Sequence, residues 1–235
     1  MDIVTGHIVM NNLAILQMLQ ICDSMFPIGT FTLSNGLETF VTKGKLKSAQ
    51  ELKEYLDSFI EILPYNDLGT MLLAYEHGEE KEYIKQLDEY SMALKNPMEI
   101  RVGSKRLCSR FLKTFEKIKQ YEKLEEYRGW IEEELCQGNH AIAVGLYARE
   151  IGLEKKTAAT IYTYSLLSAI VTNAVKTIPL SQVVGQKILN HQFEKVQECI
   201  AVGEKIKLED LGVGGTEFDI EAMNHETLYS RLYMS

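Results

Sequence analysis

"IKQLDEYSMALKNPMEIRVGSKRLCSRFLKTFEKIKQYEKLEEYRGWIEEELC", residues 84–136, is the stretch that decides the fold class. It is rich in Leu, Glu, Lys, Arg and Met, which lose little side-chain freedom on entering a helix. Its apolar residues recur at three and four, as in Leu107, Phe111, Phe115 and Ile118, the spacing of one helix face. The same spacing appears upstream at Ile15, Met18, Leu19 and Cys22. Strand-like alternation is scarce, and only four prolines interrupt the chain. The pattern predicts an all-α protein, a single-domain multi-helix bundle.

Outward from that stretch, helices are predicted near 11–22, 34–43, 49–63, 67–77, 80–95, 98–118, 121–136, 139–151, 155–176, 180–192, 194–205 and 217–231. The breaks carry turn chemistry: Pro64 before Asn66 and Asp67, Gly152 as a helix stop, Pro179 where a helix can restart. "EDLGVGGTEFD" reads as a flexible linker through Gly212, Gly214 and Gly215. The expected organisation is a helical core over 1–210 and a flexible C-terminal helical tail over 211–235.

The 235 residues carry a net charge of −8, which argues against non-specific nucleic-acid binding. Cys22, Cys108, Cys136 and Cys199 are far apart and form no C-x-x-C pair, so reduced thiols and an intracellular, cytoplasmic protein are expected. The five histidines show no i, i+4 pair of the kind a helical metal site uses. No lysine or arginine precedes Lys43, so no signal peptide is expected. "TAATIYTYSLLSAIVTNAV", residues 157–175, is uncharged and long enough to span a bilayer. Its four Thr, two Ser, Asn and two Tyr fit a buried core helix better, and no membrane partner is expected.

"MFPIGTFTLSNGLETF", residues 25–40, has the glycines and hydroxyls of a phosphate loop. Gly36 is followed by Leu37 rather than a lysine, and neither the P-loop nor the dinucleotide spacing is present. The plainer reading is a turn at Pro27 and Gly29, then a helix start with Asn35 and Glu38 as a reciprocal cap. Its run of small residues suits close approach by another surface. Ser24 and Ser34 sit in no G-x-S-x-G elbow. His140 and His225 read as helix-start and interface residues. No catalytic residue, metal site or cofactor is assigned.

The ending, "HETLYSRLYMS", concentrates Leu228, Tyr229, Leu232, Tyr233 and Met234 around Arg231. Chain ends are ordinarily polar, and Tyr and Arg carry binding energy at interfaces. The segment therefore reads as a docking element, with packing back onto its own domain as the alternative.

Taken together, these stretches resemble the urease accessory proteins of the F type (UreF), from about Leu13 to Ser235. The blocks similar to the family's are "LQICDSMFPIGTFTLSNGLE", "EIRVGSKRL", "GNHAIAVGLYAREIGL", "YSLLSAIVTNAVKTIPLSQVVGQKIL" and "DIEAMNHETLYSRLYMS". Thr30 stands where many members have a second glycine, Asn35 where Ser or Gln occurs, and Lys176 where many have arginine. A lysine there keeps the charge but not a bidentate geometry; complementing a helix C-terminus is the alternative role.

The resemblance implies an all-α, non-enzymatic factor in assembling the nickel centre of urease. It implies a scaffold joining a UreD-type (UreH) protein and the GTPase UreG on apo-urease, modulating GTP hydrolysis and nickel delivery, and a homodimer. The implied UreD/UreH-binding residues are His225, Leu228, Tyr229, Ser230, Arg231, Leu232, Tyr233 and Met234. The implied UreG-facing surface holds Pro27, Gly29, Ser34, Gly36, Glu38, Lys176 and Pro179. A rival expectation is a metallochaperone holding nickel through its own Cys and His.

Overall fold

The computed structural model describes residues 2–30, 34, 36–229 and 231–233, and among these every regular element is helical. In chain order they are α1 (Asp2–Cys22), α2 (Leu37–Thr42), α3 (Ala49–Ile62), α4 (Asp67–Glu76), α5 (Lys81–Ala93) and α6 (Met98–Ile118). They continue with α7 (Glu122–Glu132), α8 (His140–Glu150), α9 (Lys155–Thr177), α10 (Gln182–His191), α11 (Phe193–Gly203) and α12 (Thr216–His225). Short 3-10 turns cover Leu63–Tyr65 and Leu208–Asp210. The all-α expectation holds. The two largest differences from the sequence reading lie at the chain ends. α1 begins nine residues early, through Ile3, Val4, Thr5 and Gly6, residue types with weak helix propensity. α12 stops at His225 instead of 231.

At the centre, α4 and α8 lie against each other along their small residues. A Cβ on Gly145 would stand 2.3 Å from the Met71 carbonyl oxygen and 2.9 Å from Ala74 Cβ, so only glycine permits this backbone approach. Residues 141–148 of α8 and 68–74 of α4 are buried throughout. Around them, Leu107, Phe111 and Phe115 of α6 turn inward as their spacing predicts, while Ile118 ends exposed. Phe115 and Tyr147 rings meet at 4.7 Å, with Phe26, Phe111 and Tyr121 completing an aromatic cluster.

One buried carboxylate orders the entry to α8. Asp88 accepts the Tyr127 hydroxyl and the backbone N–H groups of Gln137 (2.5 Å), Gly138 (3.1 Å) and Asn139 (3.2 Å). Asn139 then caps α8 by accepting from the Ala141 N–H at 2.9 Å. This satisfies donors that a helix start otherwise leaves orphaned.

α9 is long and apolar enough to cross a membrane by length and composition, yet 56% of its most apolar window is buried in the fold. It packs against α1, α4, α10 and α11 as a central helix. The glycines after Asp210 are seated on the body. Gly212 N–H donates to the Tyr65 carbonyl at 2.7 Å, and Cβ atoms on Gly214 and Gly215 would press on Ile62. Gly215, at φ 84°, opens α12. Phe218 of α12 then inserts among Phe40, Tyr55 and Phe59.

Candidate functional site

The site grows from the first turn of α2. Gly36 adopts φ 83°, and a Cβ there would lie 2.9 Å from the Ala222 nitrogen of α12. Glycine therefore lets α12 cross directly over the start of α2. That crossing brings Glu38, only 6% exposed, beneath the end of α12.

His225, the last residue of α12, is fully buried between two carboxylates. Its Nδ1 lies 2.6 Å from Glu99 Oε2 of α6, and its Nε2 lies 3.0 Å from Glu38 Oε2. Beyond it the chain folds back. Leu232 N–H donates to Glu38 Oε1 at 2.6 Å and Tyr233 N–H to Oε2 at 3.3 Å. Arg231 pairs with Glu99 Oε1 at 2.8 Å, and the Tyr233 hydroxyl donates to the Asn173 carbonyl of α9 at 3.4 Å. A second clamp holds α12 upstream. Lys43 and Lys45 reach Glu221 at 2.5 and 2.8 Å, Lys45 also reaches Glu217, and Asn96 donates to Asp219. Burial alone would raise the Glu221 carboxyl, but hydrogen bonds from Lys43, Lys45 and Asn224 outweigh it and hold the group below the usual range.

The residues expected in two separate surfaces thus meet at Glu38. The reciprocal cap expected between Asn35 and Glu38 rests on a residue outside those described; among the described residues the Glu38 carboxylate is held by the chain end. Asn35 lies outside the described residues, as do Ser230 and Met234. Ser34 and Gly36 are buried, Gly29 is half-buried at φ 84°, and Pro27 and Pro179 are exposed. Lys176 is exposed in the last turn of α9, where a cation complements the helix carbonyls. Leu228 and Tyr233 are half-buried, whereas Tyr229 is fully exposed and Leu232 is 74% exposed. Ile220 and Met223 of α12 are exposed as well. Sequence reasoning missed Glu99, Glu221, Ile220 and Met223. Ile220 and Met223 stand three apart, a helical spacing that could have disclosed their shared face.

A cavity of about 300 Å3 lies between α1, α4, α6, α8, α9 and α12, its wall including Cys22, Asp67, Lys95, His140, Tyr162 and Asp219. Burial pushes the Cys22 thiol up to about 11 and Cys136 and Cys199 up to about 12, the opposite of an activated thiolate. Among the described residues no group of three or more His, Cys, Asp or Glu is placed to hold a metal ion.

His140 gives the fold an acid limit. Burial pushes its imidazole down to about 4, with Asp67 opposing and Lys95 adding to the effect. The unfolded imidazole takes its proton near pH 6.5, so between the two values the unfolded chain binds more protons and acid favours unfolding. Stability is expected to fall by on the order of 3 kcal/mol between pH 6.5 and 4. Urea melts at stepped pH measure this, and a flat profile from pH 7 to 5 would contradict it. Glu221 adds a loss in the same direction at lower pH, as its lysine-held carboxylate is protonated.

This fold holds Tyr229 and Leu232 of the chain end in solvent on a helical body, and the class it defines is an all-helical protein. A sequence model of the UreF family matches residues 46–192. The urease accessory protein UreF of Actinobacillus pleuropneumoniae serotype 5b (strain L20) is 36% identical over 221 residues, covering 93% of this chain and 97% of the relative. The protein of that name from Haemophilus influenzae (strain PittGG) is 35% identical, over 93% of this chain and 94% of its own. That from Bacillus sp. (strain TB-90) is 33% identical over 94% and 99%. The chain belongs to the UreF family of urease accessory proteins.

Proposed function

We propose that this chain is a cytoplasmic, non-enzymatic urease maturation factor that works as a scaffold. Its C-terminal segment docks a UreD/UreH-type protein through Tyr229 and Leu232, joined by Ile220 and Met223 of α12. The exposed Pro27, Lys176 and Pro179 form the side turned towards the GTPase UreG. The assembly, built on a homodimer of this chain, acts on apo-urease, modulating GTP hydrolysis and the delivery of nickel, which is cargo rather than a resident cofactor.

The observation that carries this reading is the held chain end. Its backbone is tied to the body while Tyr229 and Leu232 stay in solvent. Apolar side chains kept exposed by polar anchoring are what a docking face requires. Membership of the UreF family supplies the identity of the process. The test is co-expression of urease subunits and the other accessory proteins with and without this chain. Omission is expected to leave urease low in nickel and inactive; equal activation in both arms would refute the reading.

A further inference from the structure

We propose that Glu38 and Glu99 are positioning residues for the C-terminal docking segment: they act through His225 and the tail backbone to fix its docked shape. The inference rests on the reading of that segment as the docking element, and it deepens that reading by naming what pre-organises it.

After α12, Leu228 and Tyr233 are half-buried, while Tyr229 and Leu232 stand in solvent. The tail's described tethers to the body at Arg231, Leu232 and Tyr233 are polar, and two carboxylates take most of them. Glu38 accepts from the Leu232 and Tyr233 N–H groups and lies 3.0 Å from His225 Nε2. Glu99 takes His225 Nδ1 with one oxygen and Arg231 with the other. A carboxylate only accepts, so its oxygens match a set made of donors. Both side chains are largely shielded from water, and a shielded carboxylate is costly unless its donor set is filled. Glu38 also lies beneath the tail, so it cannot touch a partner while the tail is docked. Its effect on binding must then pass through the tail's shape. Ordering a segment before association removes that cost from the binding step.

Glu38→Gln is the discriminating variant, because it keeps shape and volume. It replaces one acceptor oxygen with an NH2 group, which would face donors already in place. Two measurements on the full chain are needed: amide hydrogen exchange, and the Kd for the UreD/UreH-type partner by titration. Exchange at residues 232 and 233 is expected to rise about 10-fold or more, with α4 and α8 unchanged. Partner affinity is expected to weaken about 10-fold. Unchanged exchange would overturn the proposal. Faster exchange with an unchanged Kd would also overturn it, while leaving the docking reading intact. The docking reading itself fails if Leu232→Asp binds the partner as well as wild type does. Should Glu38→Gln not fold, Glu99→Gln with the same two readouts decides the matter, since it disturbs the outer half of the bracket.

Discussion

Gly145→Val is expected to cost this fold at least about 3 kcal/mol, the upper range for overpacking a core. The new Cβ would sit 2.3 Å from a backbone carbonyl oxygen, that of Met71, and 3.0 Å from the Tyr75 nitrogen. Neither atom belongs to a side chain that can swing away. Relief requires α4 and α8 to separate along the buried face that organises the rest of the core. For a chain of this size the loss corresponds to a fall in Tm of roughly 6–12 °C. Gly129→Ala is the control: a Cβ on that glycine of α7 meets nothing within 4 Å. There the gain in helix propensity predicts stabilisation of up to about 1 kcal/mol. Thermal melts of both variants check the argument, and a Gly145→Val melt within about 2 °C of wild type would defeat it.

The second large effect falls on association. Tyr229→Asp combined with Leu232→Asp is expected to weaken binding to the UreD/UreH-type partner by about 100-fold or more, since buried aromatic and aliphatic anchors dominate such interfaces. Stability should not move, because both side chains already stand in water and exposed substitutions rarely exceed about 0.5 kcal/mol. Titration calorimetry beside a thermal melt separates the two quantities. Full-strength binding by the double variant would remove the tail from the interface.

How much of this was legible beforehand depends on distance along the chain. The helices of the body were, because a helix is written in local spacing: Leu107, Phe111 and Phe115 announce α6 without knowledge of anything else. The site was only half legible. Glu38 stood out in its small-residue block, but its partners lie 187 and 195 positions away at His225 and Tyr233, and no spacing rule reaches that far. The overlong prediction for α12 has the same origin. Leu228, Arg231 and Leu232 continue a helical spacing, and in a helix the Leu232 N–H would bond the carbonyl of residue 228. Glu38 takes that N–H instead, and the helix has already ended at His225. The glycines of 212–215 read as slack for a related reason. Composition records that they lack side chains, but not that Leu94 and Ile62 occupy the space.

Seated glycines at one end and a buried histidine at the other leave α12 fixed, so the described residues with liberty to leave the surface are those after His225, as far as Tyr233. Such a leash spans at most about 28 Å. A detached end therefore remains near Glu38 at an effective concentration on the order of millimolar. Release and recapture form a one-molecule equilibrium, independent of how much of the protein is present. A partner that needs the end docked finds it so at any dilution, and one that needs it free must outbid a neighbour that never diffuses away.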